Sequence, residues 1–187
     1  MAHSTGACMP RIPYQPIDLA EPREIVDPIR TRRGGSLLEL DRVLLHAPPF
    51  ARGWNAHLGA VRTELDLPAR LRELMIIGVG ALNGAHYEVK QHAPFFRAGG
   101  GTDLQFEALA DYEAAARNVT LFDARERALM QLTIEMTRRV KVPEAVFEEA
   151  RRHFPDSRSL MEIVGIIATY NMVARVIVAM EIHDDHA

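Results

Sequence analysis

The chain has 187 residues, 48% of them hydrophobic and 25% charged, with a formal net charge of -3 at pH 7. That length carries one ordinary core and is short for two, and the weak negative charge supplies no field for a phosphate backbone, so nucleic acid is excluded as a partner. The one cysteine, Cys8, rules out an intrachain disulfide or a CxxC motif and fits a reducing compartment.

The longest uncharged apolar run, Leu74 to Leu82, is about half of the ~20 residues a membrane span needs, and the first residues lack a charged-then-apolar signal pattern. A cytoplasmic chain with no membrane partner is expected. Residues 1–35 contain Pro10, Pro13, Pro16, Pro22 and Pro28, which predicts an arm without a long helix. Its Ile-Pro-Tyr and Pro-Ile-Asp-Leu pieces are apolar enough to dock on a neighbouring surface. The remainder, 36–187, reads as a single domain.

Ser36 is placed to cap a helix through Leu37, Leu40, Leu44 and Leu45, stopped by Pro48-Pro49. A second helix, about 49–64, puts Phe50, Trp54, His57 or Leu58, and Val61 on one side. Pro68 then opens a third, whose run to Leu82 is apolar nearly all round, as in a buried helix. Asn83-Gly84 signals a turn, and a fourth helix runs from about Ala85 to Ala98, loosened by Pro94 and ended by Gly99-Gly100-Gly101. Thr102-Asp103 begins a short amphipathic helix through Tyr112. Asp123 caps the next, which ends at Arg138-Arg139, and Pro143 opens another. The last, about 157–182, carries Ile163, Ile166, Ile167, Tyr170, Val173, Ala174, Ile177 and Val178. No segment alternates with period two long enough for a strand, so the class is all-α, with about seven or eight helices.

One stripe breaks the pattern. Ala85, Glu88, Val89, His92, Phe95 and Phe96 follow helical spacing for a buried face, yet two of them are ionisable. Burying a carboxylate and an imidazole costs free energy unless they bond to each other or to another group. If the third and fourth helices form an antiparallel hairpin about Asn83, Glu73 arrives level with His92. Glu88, one turn from His92, can orient the imidazole and raise its pKa toward neutrality, as general acid-base chemistry requires. A structural salt bridge is the plain alternative.

Leu71-Arg72-Glu73-Leu74, Asn83-Gly84-Ala85-His86-Tyr87-Glu88, His92 and Ala98-Gly99 resemble the carboxymuconolactone decarboxylase family of the alkylhydroperoxidase D superfamily. Phe122-Asp123, Glu126-Arg127-Ala128 and Tyr170-Asn171-Met172-Val173-Ala174-Arg175 look like its later helices. The resemblance spans roughly 36–182 and implies an alkylhydroperoxidase D-like helical bundle and a homo-oligomer, trimer or hexamer. The peroxidase branch uses a glutamate, a CxxC pair and a histidine. Here those positions hold Glu73, Ala85 and Glu88, and His92, so both thiols are absent and dithiol peroxide reduction is not expected. The branch without the pair implies a cofactor-free lyase acting on a small carboxylated lactone. His92 would be the acid, Glu88 its orienting group or an alternate base, and Glu73 the third member of the network.

Trp54, His57 and Tyr87 are candidates to line a substrate cavity, with core or rim positions as the alternative. Arg175 could hold a substrate carboxylate or make an intersubunit ion pair. No metal site is expected: His86 and His92 are six apart and fall on different faces. The terminal His183-Asp184-Asp185-His186 reads as a polar tail.

Overall fold

The computed structural model describes residues 10–183. Cys8 and residues 184–186 of the terminal tail lie outside them. Packing divides the chain into two compact units, one made of the stretch up to Glu64 with that from Ala179 onward, the other of Leu65–Val178.

In the first unit, α1 (Arg23–Arg32) lies within the proline-rich arm, and Pro28 is inside it. The arm, expected to lack a long helix, holds this ten-residue one. An interior proline costs about 3 kcal/mol, but Ile25, Val26 and Ile29 are all buried, and each such side chain returns roughly 1.5–3 kcal/mol. The rest of the arm is tied down by polar contacts. Arg30 donates to the carbonyls of Ile17 (2.6 Å) and Leu19 (2.9 Å), and Arg42 donates to that of Gln15 (2.6 Å).

The helix α2 (Glu39–Leu44) begins three residues after Ser36, and Asp41 rather than Ser36 takes the Leu38 amide (3.1 Å). Arg33 holds the same buried carboxylate at 2.9 and 3.0 Å. Along α3 (Pro48–Thr63), Ala51, Trp54, Leu58 and Val61 are buried. Phe50, expected on that face, is about half exposed at 49%.

The second unit is built around α4 (Ala69–Asn83), whose residues from Glu73 to Gly80 are all buried. Gly84 at φ 71° ends it in the left-handed region, where a side chain would be strained, and turns the chain into α5 (His86–Ala98). The two helices pack as the expected hairpin. After α5 the single amphipathic helix expected through Tyr112 is broken into α6 (Asp103–Ala108), a 3-10 turn at Leu109–Asp111 and α7 (Tyr112–Ala115). This bend inserts the Tyr112 ring over Gly78 of α4, where a Cβ would lie 2.1 Å from the ring.

Asp123 caps α8 (Ala124–Arg138) by accepting from the Glu126 amide at 2.8 Å, and Glu126 accepts from that of Asp123 at 3.1 Å. The helix α8 packs on α4, and α9 (Glu144–His153) packs on α8. The long α10 (Ser157–Met180) buries Ile163, Ile166, Ile167, Tyr170, Val173, Ala174 and Ile177, while Val178 is exposed. By length and composition alone α10 could cross a membrane, but half of its apolar window is buried inside the chain, as in a core helix.

Candidate functional site

The hairpin geometry decides where the ionisable stripe goes. Glu73 sits in the second turn of α4 with no exposed surface, and His92 faces it from α5. The His92 Nδ1 to Glu73 Oε2 distance is 2.5 Å, and on the other side of the ring His92 Nε2 lies 3.0 Å from Glu88 Oε1. The second Glu73 oxygen lies 3.3 Å from Arg72 Nε. Arg72, Glu73, His92 and Glu88 thus form one unbroken polar chain.

Both ring nitrogens of His92 face carboxylate oxygens. An imidazole can donate from both nitrogens only as the imidazolium, so two ionised carboxylates favour the protonated ring. Burial opposes that charge and by itself would lower the His92 pKa. The Glu88 charge, the hydrogen bonds to Glu73 and Glu88 and the Glu73 charge outweigh it and raise the pKa above the usual 6.5. Tyr170 of α10 packs edge-on against the imidazole with ring centroids 5.3 Å apart, and Phe95 lies tilted at 5.9 Å.

The chain has a closed end and an open end. Glu73 has no exposed surface, whereas the side chains of Glu88 and His92 keep 7% and 8%. Among the described residues no hydrogen bond reaches Glu88 Oε2. A charged imidazole shielded by protein but touching a partly accessible carboxylate can pass a proton outward while the buried end stays fixed.

The other sequence candidates lie on three helices. Tyr87 is buried on α5, the helix that carries Glu88 and His92. Trp54 belongs to the first unit, buried and edge-on to Phe50 at 5.7 Å. His57 is exposed on α3 in that unit. Arg175 is exposed and donates to the Asn171 carbonyl and to Asn171 Oδ1, at 2.8 and 3.0 Å, rather than joining the network. Asn171 in turn ties Asn83 and Thr137 together. Among the described residues no group of three metal-ligating side chains is arranged around a common point. A cleft of about 430 Å³ between α9 and α10, lined by Phe147, Arg151 and Met161 among others, contains none of the network residues.

Sequence reasoning missed two structural partners. Tyr170 is placed by spacing on the apolar stripe of the last helix, but its ring contact with His92 leaves no spacing signal. Glu162 accepts from the amides of Asp66 (3.1 Å) and Leu67 (3.0 Å) and thereby anchors the entry to α4. Its signal was available: a lone carboxylate in an apolar helix demands a partner.

Residues 48–121 match the model of the carboxymuconolactone decarboxylase family, a stretch that contains the whole α4–α5 hairpin. That stretch is similar to the carboxymuconolactone decarboxylase family of the alkylhydroperoxidase D-like superfamily. A peroxidase-related protein from Silicibacter sp. TM1040 superposes with a TM-score of 0.79 at 20% identity, covering 98% of this chain and 96% of that one. An alkylhydroperoxidase AhpD core protein, also peroxidase-related, from Ralstonia eutropha JMP134 gives 0.74 at 20% identity, covering 95% and 93%. The debrominase Bmp8, in complex with 2,3,4-tribromopyrrole, gives 0.76 at 15% identity, covering 92% and 91%. No curated protein matches the sequence. At these identities the structures establish a shared all-α, alkylhydroperoxidase D-like fold.

Proposed function

We propose that the protein is a cofactor-free acid-base enzyme of this superfamily, a carboxy-lyase acting on a small carboxylated lactone or related organic acid. The observation that carries the reading is the placement of His92 between Glu73 and Glu88, bonded through both ring nitrogens in a nearly closed site. In such a reaction the bond to the carboxylate carbon breaks and carbon dioxide leaves. The electron pair is held as an enolate, and a proton returns to carbon. His92 with Glu88 supplies that proton, and Glu73 with Arg72 keeps the imidazole charged until it is used.

The positions that hold a dithiol in the peroxidase branch are Ala85 and Glu88, so thiol-based peroxide reduction has no nucleophile in α5. Peroxide consumption with a dithiol reductant that disappears in Cys8→Ser would overturn this choice.

The direct test is turnover of a panel of carboxylated lactones by wild type, His92→Gln and Glu88→Gln. Loss of about 10²–10⁴-fold in kcat in both variants is expected of a general acid-base pair. Unchanged turnover in both would remove the network from the chemistry and leave a binding or assembly role. A cytoplasmic homo-oligomer, trimer or hexamer, is part of the same proposal, and light scattering on the purified protein reads the subunit number. A monomer would contradict it.

A further inference from the structure

Proton transfer through His92 requires its ring to lie in one plane, and nothing in histidine itself sets that plane. The torsion between Cβ and the ring is broad and roughly two-fold, so the imidazole takes the plane its neighbours allow. The charged groups that meet it are Glu73, with Arg72 behind it, from α4 and Glu88 from its own helix. They hold both nitrogens only while the ring carries two N–H groups. Once Nε2 has given up its proton, the neutral imidazole keeps a single donor, and the bare nitrogen faces Glu88 Oε1, an acceptor, across 3.0 Å. That pair then repels, and the contact that helped to set the plane now works against it.

Tyr170 meets the same ring through a packing contact that needs no proton. Its ring stands at 87° to the imidazole with centroids 5.3 Å apart, an edge-on arrangement that aromatic pairs prefer, and the residue is only 2% exposed. Its place on α10 is fixed from next door. Asn171 donates to Thr137 Oγ1 of α8 at 3.0 Å and accepts from Asn83 Nδ2 at the end of α4 at 3.3 Å. Resting on the proton-transfer reading above, we propose that Tyr170 is a positioning residue: its ring keeps the imidazole in its plane after the proton has left, so that Nε2 is recharged where it discharged. Glu73 and Glu88 set the charge of His92, and Tyr170 sets its orientation through the neutral half of the cycle.

The test is nitrogen-15 NMR of the His92 ring in the full-length protein, carried up to the pH at which the ring is neutral. Wild type should then show one tautomer, protonated at Nδ1 toward Glu73, with the two nitrogen signals well separated. In Tyr170→Leu the two signals should draw together, as the ring turns and exchanges its proton between nitrogens. Tyr170→Phe keeps the ring without the hydroxyl and should restore the wild-type pattern. A loss of stability alone would leave the pattern unchanged. If Tyr170→Leu fails to fold, wild type itself reads the contact: cross-relaxation between the Tyr170 ring protons and the His92 ring C–H protons should persist from the charged to the neutral state. An unchanged pattern in Tyr170→Leu, a pattern in Tyr170→Phe that matches Tyr170→Leu, or loss of the contact in neutral wild type would overturn the proposal. So would a ring that stays charged throughout the titration. These spectra need no substrate. Wild-type-like turnover in His92→Gln and Glu88→Gln would end the acid-base reading and leave the Tyr170 contact as found, whereas unchanged spectra in Tyr170→Leu would overturn the positioning role alone.

Discussion

At His92 the cost of burying a charge and the gain from pairing it are set against each other, and the two carboxylates decide the outcome. Because the folded protein raises the imidazole pKa, its protonation stabilises the fold fully below the unfolded value near 6.5. That stabilisation is lost as pH climbs through the higher folded value. Wild type should therefore become less stable from pH 6 toward pH 9 relative to His92→Gln, which lacks the titration. Urea unfolding of both proteins across that range is the check, and a penalty for the substitution that does not shrink as pH rises would rule the coupling out. Glu73→Gln strips a fully buried group of the charge that pairs with both Arg72 and His92. Breaking a buried ion pair from one side costs about 3–5 kcal/mol, so a large fall in the urea midpoint is expected there. The meeting of Glu73 with His92 was legible in the sequence because the turn at Asn83-Gly84 fixes which residues are level across the hairpin. The second contact of the imidazole, at Nε2, was legible from i, i+4 spacing alone. What the spacing did not carry was the burial of each member, which leaves Glu73 fully enclosed and Glu88 slightly accessible.

At the scale of elements, α4 acts as the post on which the site is mounted, and its glycine at position 78 sets how closely Tyr112 can approach. The Tyr112 hydroxyl donates to the Leu74 carbonyl at 3.1 Å, and burial pushes its pKa far up, so it stays a neutral donor. Gly78→Ala would place a methyl group inside the tyrosine ring's volume. Overpacking of a tight core costs about 1–3 kcal/mol. Thermal or urea unfolding should show that loss, and a variant as stable as wild type would mean that α7 moves aside freely. The sequence indicated α4, α5, α8, α9 and α10 correctly because each carries a clear apolar period and a punctuating residue at its start or end. It failed between Gly101 and Phe122, where one expected helix is broken by the turn that seats Tyr112, since that break serves a contact distant in sequence. It did not indicate the ten-residue α1, because the penalty of Pro28 is a local quantity and the burial of Ile25, Val26 and Ile29 that offsets it is not.

Across the molecule, the second unit holds the whole ion network and is closed at its start by Glu162, which reaches from α10 to the amides just ahead of α4. Arg158 donates to the other Glu162 oxygen at 3.0 Å, so the anchor is itself held. Replacing Glu162 by Ala should speed hydrogen exchange at the Asp66 and Leu67 amides by tenfold or more, since about 1.4 kcal/mol of lost protection corresponds to a factor of ten. Unchanged exchange would show that the loop is fixed by other means. At this scale the sequence supplied the fold class through periodicity, and a family resemblance through the residues around the hairpin. It did not carry the partner of Arg175, which donates to Asn171. Helical spacing reports which side of a helix a residue occupies, not which neighbour that side meets.

The account stands or falls on where the proton sits in the Glu73–His92–Glu88 chain. Nitrogen-15 NMR of the histidine ring in the full-length protein, assigned with His92→Gln and followed from pH 5 to 9, measures this directly. The prediction is an imidazolium with both nitrogens protonated at pH 6.5, losing its proton only at higher pH. A ring that is already mostly neutral at pH 6.5, with one bare nitrogen, would contradict it.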